Sequence, residues 1–193
     1  MAGRPKQFDP SSALDRAMML FWEKGYERTS LCDLLSHMGI SRQSLYDTFG
    51  DKHSLYLATL DHYVKRRMRE LVGDILEPEA SLPQIRAVFT RFETLARTDS
   101  RKPCMMSVSS MELGADDPAV RERVKAQFSE VETHFERALR NALRKGELHD
   151  VSDPKAVARY LVNTLQGLGV LLKGGADPEH VHDVVRVALS LLR

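Results

Sequence analysis

TSLCDLLSHMGISRQSLYDTFGDK, running from Thr29 to Lys52, decides how the rest of the chain is read. Two short helical patterns flank a tight Gly39-Ile40 turn, and the second opens with Ser41, Arg42, Gln43 and Ser44. This is the layout of a helix-turn-helix over about residues 29–49, in which the second helix offers its first side chains to base edges in the DNA major groove. Gly39 gives the turn a permissive backbone. Leu34, Leu35, Ile40, Leu45 and Phe49 are spaced to fix one helix on the other, helped by Phe21 and Trp22 of a preceding helix. Ser41 caps the second helix. Arg42 and Gln43 are left for the groove, where Arg pairs with guanine O6/N7 and Gln with adenine N6/N7, each pairing giving roughly 1–3 kcal/mol of base discrimination. The hydroxyls of Ser44 and Tyr46 suit phosphates or bases, and Lys52, where the next helix begins, suits a phosphate. Arg42 and Lys52 would equally suit ordinary solvated charges on a helical bundle.

Composition bounds the rest. The 193 residues are 42% hydrophobic, enough for a substantial core, so a disordered chain is excluded. A formal net charge of +1 excludes a polybasic nucleic-acid binder, so any DNA contact must come from local placement of charge. The two cysteines, Cys32 and Cys104, form no CxxC pair, which excludes a disulfide framework or zinc finger and suits a reducing cytosol. The leading residues lack the apolar segment of a signal peptide, and runs such as Leu168–Leu172 are far short of a membrane span. The expectation is a soluble, cytoplasmic protein with no membrane partner.

Helix starts are marked by one dipeptide. Asp-Pro occurs at Asp9-Pro10, Asp117-Pro118, Asp153-Pro154 and Asp177-Pro178, where Asp caps free N–H groups and Pro at the first helical position forfeits no hydrogen bond. Ser81-Leu82-Pro83 marks a further start. The spacing predicts helices over Pro10–Lys24, Ser30–Met38 and Arg42–Phe49, then one long helix from Lys52 to about Leu76. Others follow near Leu82–Ala96, Cys104–Leu113, Pro118–Lys145, Pro154–Lys173 and Pro178–Leu192. No segment keeps a period-two alternation, so the predicted fold is all-α.

At this point the chain resembles the TetR family of bacterial transcriptional regulators. The resemblance rests on Phe21 and Gly25-Tyr26 closing the first helix, Thr29-Ser30 opening the second, and the run GISRQSLYDTFGDKHSLY, most specifically Leu45-Tyr46 followed by Phe49, Lys52 and Leu55. It is strong over Pro5–Leu60 and architectural beyond. It implies that Ser30, Ser41, Ser44, Tyr46 and Lys52 belong to the DNA-binding surface, mostly gripping phosphates, while Arg42 and Gln43 face bases. It also implies that Arg4 and Lys6, in the basic arm Gly3-Arg4-Pro5-Lys6, reach a groove or the backbone. Leu31 departs from members that read a base with an arginine just after the position of Ser30, which shifts base reading toward the third helix and the arm.

The resemblance further implies a DNA-binding unit over residues 6–66, a ligand-binding and dimerisation unit over 67–193, and release from a palindromic double-stranded operator by a small-molecule inducer. Tyr160, Leu161, Thr164, Leu168 and Leu172 on one helix, and Val181, Val184, Val185, Ala188, Leu189 and Leu192 on the next, suit a homodimer interface of four helices, or else the closing of the chain's own core. Phe89, Phe92, Cys104, Met105, Val108, Met111, Phe128, Phe135 and Leu165 suit an apolar chamber, or again plain core. Cys104 follows Arg101-Lys102-Pro103 at a helix start, where cations and the helix end favour thiolate, so it is either an electrophile-sensing thiol or a packing residue. His180 and His182 are two apart on a helix and diverge, so no metal site is expected, and no cofactor is indicated. Nucleophile elbows, phosphate-binding Gly loops and catalytic metal patterns are absent, so an enzyme is not expected. The remaining alternative is a helical interaction module that dimerises without specific DNA binding.

Overall fold

A computed structural model describes residues 8–98 and 104–193, with the backbone alone at 67 and 68. Among them are ten α-helices and no strand. They are α1 (Pro10–Lys24), α2 (Leu31–Met38), α3 (Arg42–Phe49), α4 (Lys52–Tyr63), α5 (Arg69–Leu76), α6 (Leu82–Ala96), α7 (Met105–Leu113), α8 (Pro118–Arg144), α9 (Pro154–Lys173) and α10 (Pro178–Ser190).

Capping chemistry sets the boundaries. Asp9, Asp117, Asp153 and Asp177 each accept backbone N–H groups of the turn they precede, at 2.8–3.2 Å, with Pro in the first turn. At α6 the cap is shared. Gln84 accepts the Ser81 N–H at 2.9 Å, and Glu147, in the turn after α8, takes the Leu82 N–H at 3.0 Å.

The helix expected between Lys52 and Leu76 covers that range, but in three consecutive segments rather than one regular helix. It continues without a break in direction of coiling, but residues Val64–Met68 form a π-helical turn between α4 and α5. The physical reason lies in the apolar pattern. In α4 the buried stripe is Leu55, Tyr56, Thr59, Leu60 and Tyr63. Continued at α-helical spacing from Tyr63, it would meet Glu70 and Asp74, both charged. The buried residues of α5 are instead Val72 and Ile75, one position later. A π turn absorbs that one extra residue and keeps the apolar side inward.

Packing follows these faces. α1 lies on α4 and α2, α8 lies on α9 and α7, and α6 bridges α5 and α10. At the junction, Phe21 meets Tyr56 edge-on at 4.9 Å between ring centroids, and Tyr26 lies 4.8 Å from the same ring. Fully burying a large side chain such as Phe21 or Tyr56 contributes about 1.5–3 kcal/mol relative to exposure. The buried apolar residues form one continuous core from α1 to α10. No helix among the described residues is long and apolar enough to cross a membrane.

Candidate nucleic-acid interface and its chamber

The head is built from reciprocal caps around a glycine turn. Ser30 accepts the Asp33 N–H at 3.1 Å, and Asp33 accepts the Ser30 N–H at 3.1 Å and its hydroxyl at 2.7 Å. These bonds hold the Asp33 carboxyl below its ordinary pKa. Gly39 ends α2 with φ +68°, a left-handed conformation that disfavours any side chain. Ser41 then accepts the Ser44 N–H at 3.1 Å, and the two hydroxyls lie 2.9 Å apart. Leu45 is fully buried, which anchors α3 and turns Arg42, Gln43, Tyr46 and Asp47 into solvent on the other side.

The expected contact residues therefore separate into two groups. Arg42, Gln43 and Tyr46 are exposed and available, whereas the Ser30, Ser41 and Ser44 hydroxyls already serve the caps. Lys52 is half-buried, its Nζ 4.2 Å from the centroid of the Tyr26 ring, so a cation–π contact fixes its position at the start of α4. Arg4 and Lys6 lie outside the described residues, as do Arg101 and Lys102.

Behind the head a cavity of about 180 Å³ opens between α1, the α4–α5 helix, α6, α8 and α9. Of the residues expected there, Phe92, Cys104 and Leu165 line it. The others stand elsewhere. Phe89 and Phe135 are core residues with ring centroids 6.5 Å apart, and Met105 is buried beside them in the same core. Val108 and Met111 face an outer groove on the far side of α7, where Met111 is 74% exposed. Phe128 packs half-buried on α8. Helical rotation explains the split, because α7 turns Met105 and Ser109 inward and Met111 outward. Sequence reasoning missed Trp22, Tyr63, Val131 and Gln166 in the wall. Gln166 carried a signal, a polar residue between the buried Leu165 and Leu168 of α9. The others follow the same apolar spacing as core.

Cys104 occupies the N-cap position of α7, with no capping bond from its side chain, and borders both the chamber and the outer groove, together with Gln166 and Gly169. Lys173 lines the groove side. From there α7 runs to the head. Its Ser107 hydroxyl donates to Gln166 Oε1, its buried Ser109 hydroxyl lies 2.8 Å from Tyr56 Oη, and its Glu112 carboxylate accepts the Tyr26 and Glu27 N–H groups, each at 2.9 Å. Burial pushes the Tyr56 hydroxyl up to about 12, so it stays a neutral donor. A second tie joins α4 to the α8 cap, with His53 Nε2 2.6 Å from Asp117 Oδ2. Burial raises the Asp117 pKa, but the bonds from His53 and the Val120 and Ala119 N–H groups outweigh it and the net shift is downward.

The residues expected at a homodimer interface also divide. Leu161, Leu168, Val181, Val185, Ala188 and Leu192 are sealed in the chain's own core, and Leu172 lines the chamber. These positions form the inward stripe of α9 and α10 and close the chain's own core, the second of the two alternatives left open by the sequence. The outward stripe holds Tyr160, Val170, Val187 and Leu191, each between 42% and 54% exposed, flanked by half-buried Thr164, Val184 and Leu189. Among the described residues no group of three or more His, Cys, Asp or Glu side chains is placed to hold a metal ion.

Comparison with known proteins covers both halves. Residues 13–59 match the bacterial regulatory proteins of the tetR family, and residues 81–188 match the tetracyclin repressor-like C-terminal domain. The chain is 37% identical over 192 residues to the HTH-type transcriptional regulator YezE of Bacillus subtilis (strain 168), covering 98% of this chain and 99% of that protein. It is 30% identical over 193 residues to the HTH-type transcriptional repressor ComR of Escherichia coli (strain K12), covering 98% and 91%. Among solved structures, a cysteine-substituted form of the TetR family regulator CifR, complexed with 26-base-pair double-stranded operator DNA, superposes with a TM-score of 0.84. That match has 29% identity and covers 99% of this chain and 100% of the other. The helix-turn-helix, the helical body behind it and these full-length likenesses lead to one conclusion: the chain belongs to the TetR family and is a DNA-binding transcriptional regulator.

Proposed function

We propose that the protein is a homodimeric, cytoplasmic repressor that occupies a palindromic operator until a small inducer enters the chamber. It acts by binding rather than turnover, with a DNA-binding unit over about 6–66 and an inducer-binding and dimerisation unit over 67–193. The observation that carries this reading is the course of α7. Its first turn walls the chamber at Cys104, and its last turn holds the head through Glu112. An occupant that shifts α7 or tilts the α4–α5 helix moves both heads out of register, provided that it binds the DNA-incompetent state more tightly. Arg42 and Gln43 read bases, with Tyr46 and Lys52 on phosphates. The outward stripe of Tyr160, Val170, Val187 and Leu191 supports pairing with a second copy, which would set two α3 helices about 34–36 Å apart.

The chamber favours a small, largely apolar inducer. Its volume is of the order of the ~150 Å³ apolar cavity that accommodates benzene. Cys104 on the wall adds an electrophile as one form such an inducer takes.

Selection of sites from random duplex DNA, with mass measurement in solution, tests the regulator. The expected result is a dimer that enriches a two-fold symmetric site and loses affinity steeply with salt. A monomer, or binding that scarcely responds to salt, would sink the reading. Iodoacetamide treatment in a Cys32→Ser background should release the selected DNA, and Cys104→Ser should abolish that release. Equal release from the Cys104→Ser protein removes the electrophile and leaves a non-covalent inducer.

A further inference from the structure

One residue on the exposed side of α3 works against the surface that carries it. Asp47 stands one helical turn beyond Gln43, and both are exposed. It lies in the C-terminal half of the helix, where the backbone dipole disfavours a carboxylate, and no basic residue occupies the last turn to offset it. On a surface that approaches phosphates the same charge weakens binding. The fold gains no cap and no ion pair from it among the described residues. Its one recorded partner is Gln43, whose Nε2 donates to Asp47 Oδ1 at 2.7 Å.

That bond has a chemical consequence. A free glutamine on a reading helix can turn its amide either way. With its oxygen and one hydrogen outward it matches adenine, which shows an N6–H donor and an N7 acceptor in the major groove. With its nitrogen outward it donates to guanine, whose N7 and O6 are both acceptors. A carboxylate offers acceptors only, so the amide orientation beside Asp47 is the one with nitrogen turned toward it. The Gln43 oxygen and the second amide hydrogen are then left for the groove. Guanine would set O6 against that oxygen, acceptor to acceptor.

We infer that Asp47 is a specificity-determining positioning residue, which locks the Gln43 amide in the orientation that accepts adenine and rejects guanine. This rests on the reading of α3 as the base-facing helix. General affinity is lowered by the charge, and discrimination at one base pair per half-site is gained, which is specificity obtained by excluding the wrong partner.

The test is sequencing of sites selected from a random duplex library by the full-length wild type and by Gln43→Ala, Asp47→Ala and Asp47→Asn. Gln43→Ala locates the position by erasing its preference. There the wild type should favour adenine over guanine by about tenfold or more, the ratio expected of one good bidentate pair. Asp47→Ala should reduce that ratio to within about threefold while its affinity for the consensus holds or rises, a pairing that a loss of folding would not produce. Asp47→Asn keeps the size but can present either an acceptor or a donor to Gln43, so it should also lower the adenine-to-guanine ratio, toward that of Asp47→Ala. An unchanged adenine-to-guanine ratio in Asp47→Ala overturns the inference. So does the loss of a cytosine preference at a different position, which would make Asp47 itself a base reader. A wild-type chain that enriches no sequence at all overturns the base-facing reading of α3, and this inference falls with it.

Discussion

The head and the helical body use the same kind of helix to opposite ends. In the head, buried Leu34, Met38 and Leu45 draw two short helices together, and the polar side chains of α3 are pushed outward by that closure. In the body, Tyr63, Phe92, Leu165 and Leu172 are drawn around a space they do not fill. The head needs a rigid array of groups at fixed spacing, so its core is closed and its caps are doubled. The body keeps an open space among its apolar side chains, which is where an inducer would enter on the proposed reading. A closed core and an open one are set side by side, joined by α7 and the α4–α5 helix.

Leucine truncation should expose this difference most sharply. Removing a buried leucine side chain costs about 2–5 kcal/mol, more when the surroundings were closely packed. Leu45→Ala in the closed head should fall toward the upper end, with loss of DNA binding, and Leu165→Ala at the edge of the chamber toward the lower end. Urea denaturation of the two variants measures this, and equal losses would break the comparison. Glycine substitutions give the next contrast. Gly25→Ala sits at φ +82° and ψ 170°, a region essentially restricted to glycine, with its Cβ only 2.9 Å from the Glu112 oxygens, so a loss of about 1–3 kcal/mol is expected from the backbone conformation alone. Gly169→Ala lies inside α9, where its Cβ would meet only the Cys104 backbone nitrogen at 3.8 Å, and should gain up to about 1 kcal/mol while narrowing the chamber. Thermal melting of both separates them by sign.

The smallest effect belongs to pH. Burial raises the Asp15 pKa, but hydrogen bonds from His62, at 2.7 Å, and from Arg66 outweigh it, and the net shift is downward. A carboxyl depressed in the folded state contributes stability above its unfolded pKa and loses it as pH falls through the folded one. The α1–α4 tie should therefore be intact at neutral pH and weaken only below the ordinary carboxylate range. Acid denaturation of wild type and Asp15→Asn should converge at low pH. Curves separated by a constant amount down to the lowest pH would contradict this.

Local chemistry made most of the fold legible. Asp-Pro pairs, Ser30, Ser41 and the glycines at 25 and 39 write helix ends within a residue or two, because caps are made by neighbours in sequence. The exposed groups of α3 were legible for the same reason. The chamber was not. A residue that faces a cavity and one that faces packed core share the same apolar spacing, so Phe135 and Leu165 look alike until the helices are assembled. The inward and outward stripes of α9 and α10 posed the same difficulty, since both carry leucine and valine. The π turn was readable in principle. Val72 and Ile75 stand one place out of step with Tyr63, and an uninterrupted helix would have turned Glu70 and Asp74 inward.

That turn also fixes where the head can pivot. Irregular turns of this kind are where long helices bend, because their hydrogen-bond ladder is locally interrupted. α4 runs twelve residues from Lys52 to the turn, an arm of about 18 Å at 1.5 Å per residue. A rotation of roughly 10° about the turn would swing the tip of that arm by about 3 Å, as much as the whole length of a hydrogen bond to a phosphate. On the proposed reading, a small displacement of the chamber wall at Tyr63 and Leu71, on either side of the turn, would thereby grow at the far end of α4 into a shift large enough to decide whether Lys52 meets a phosphate.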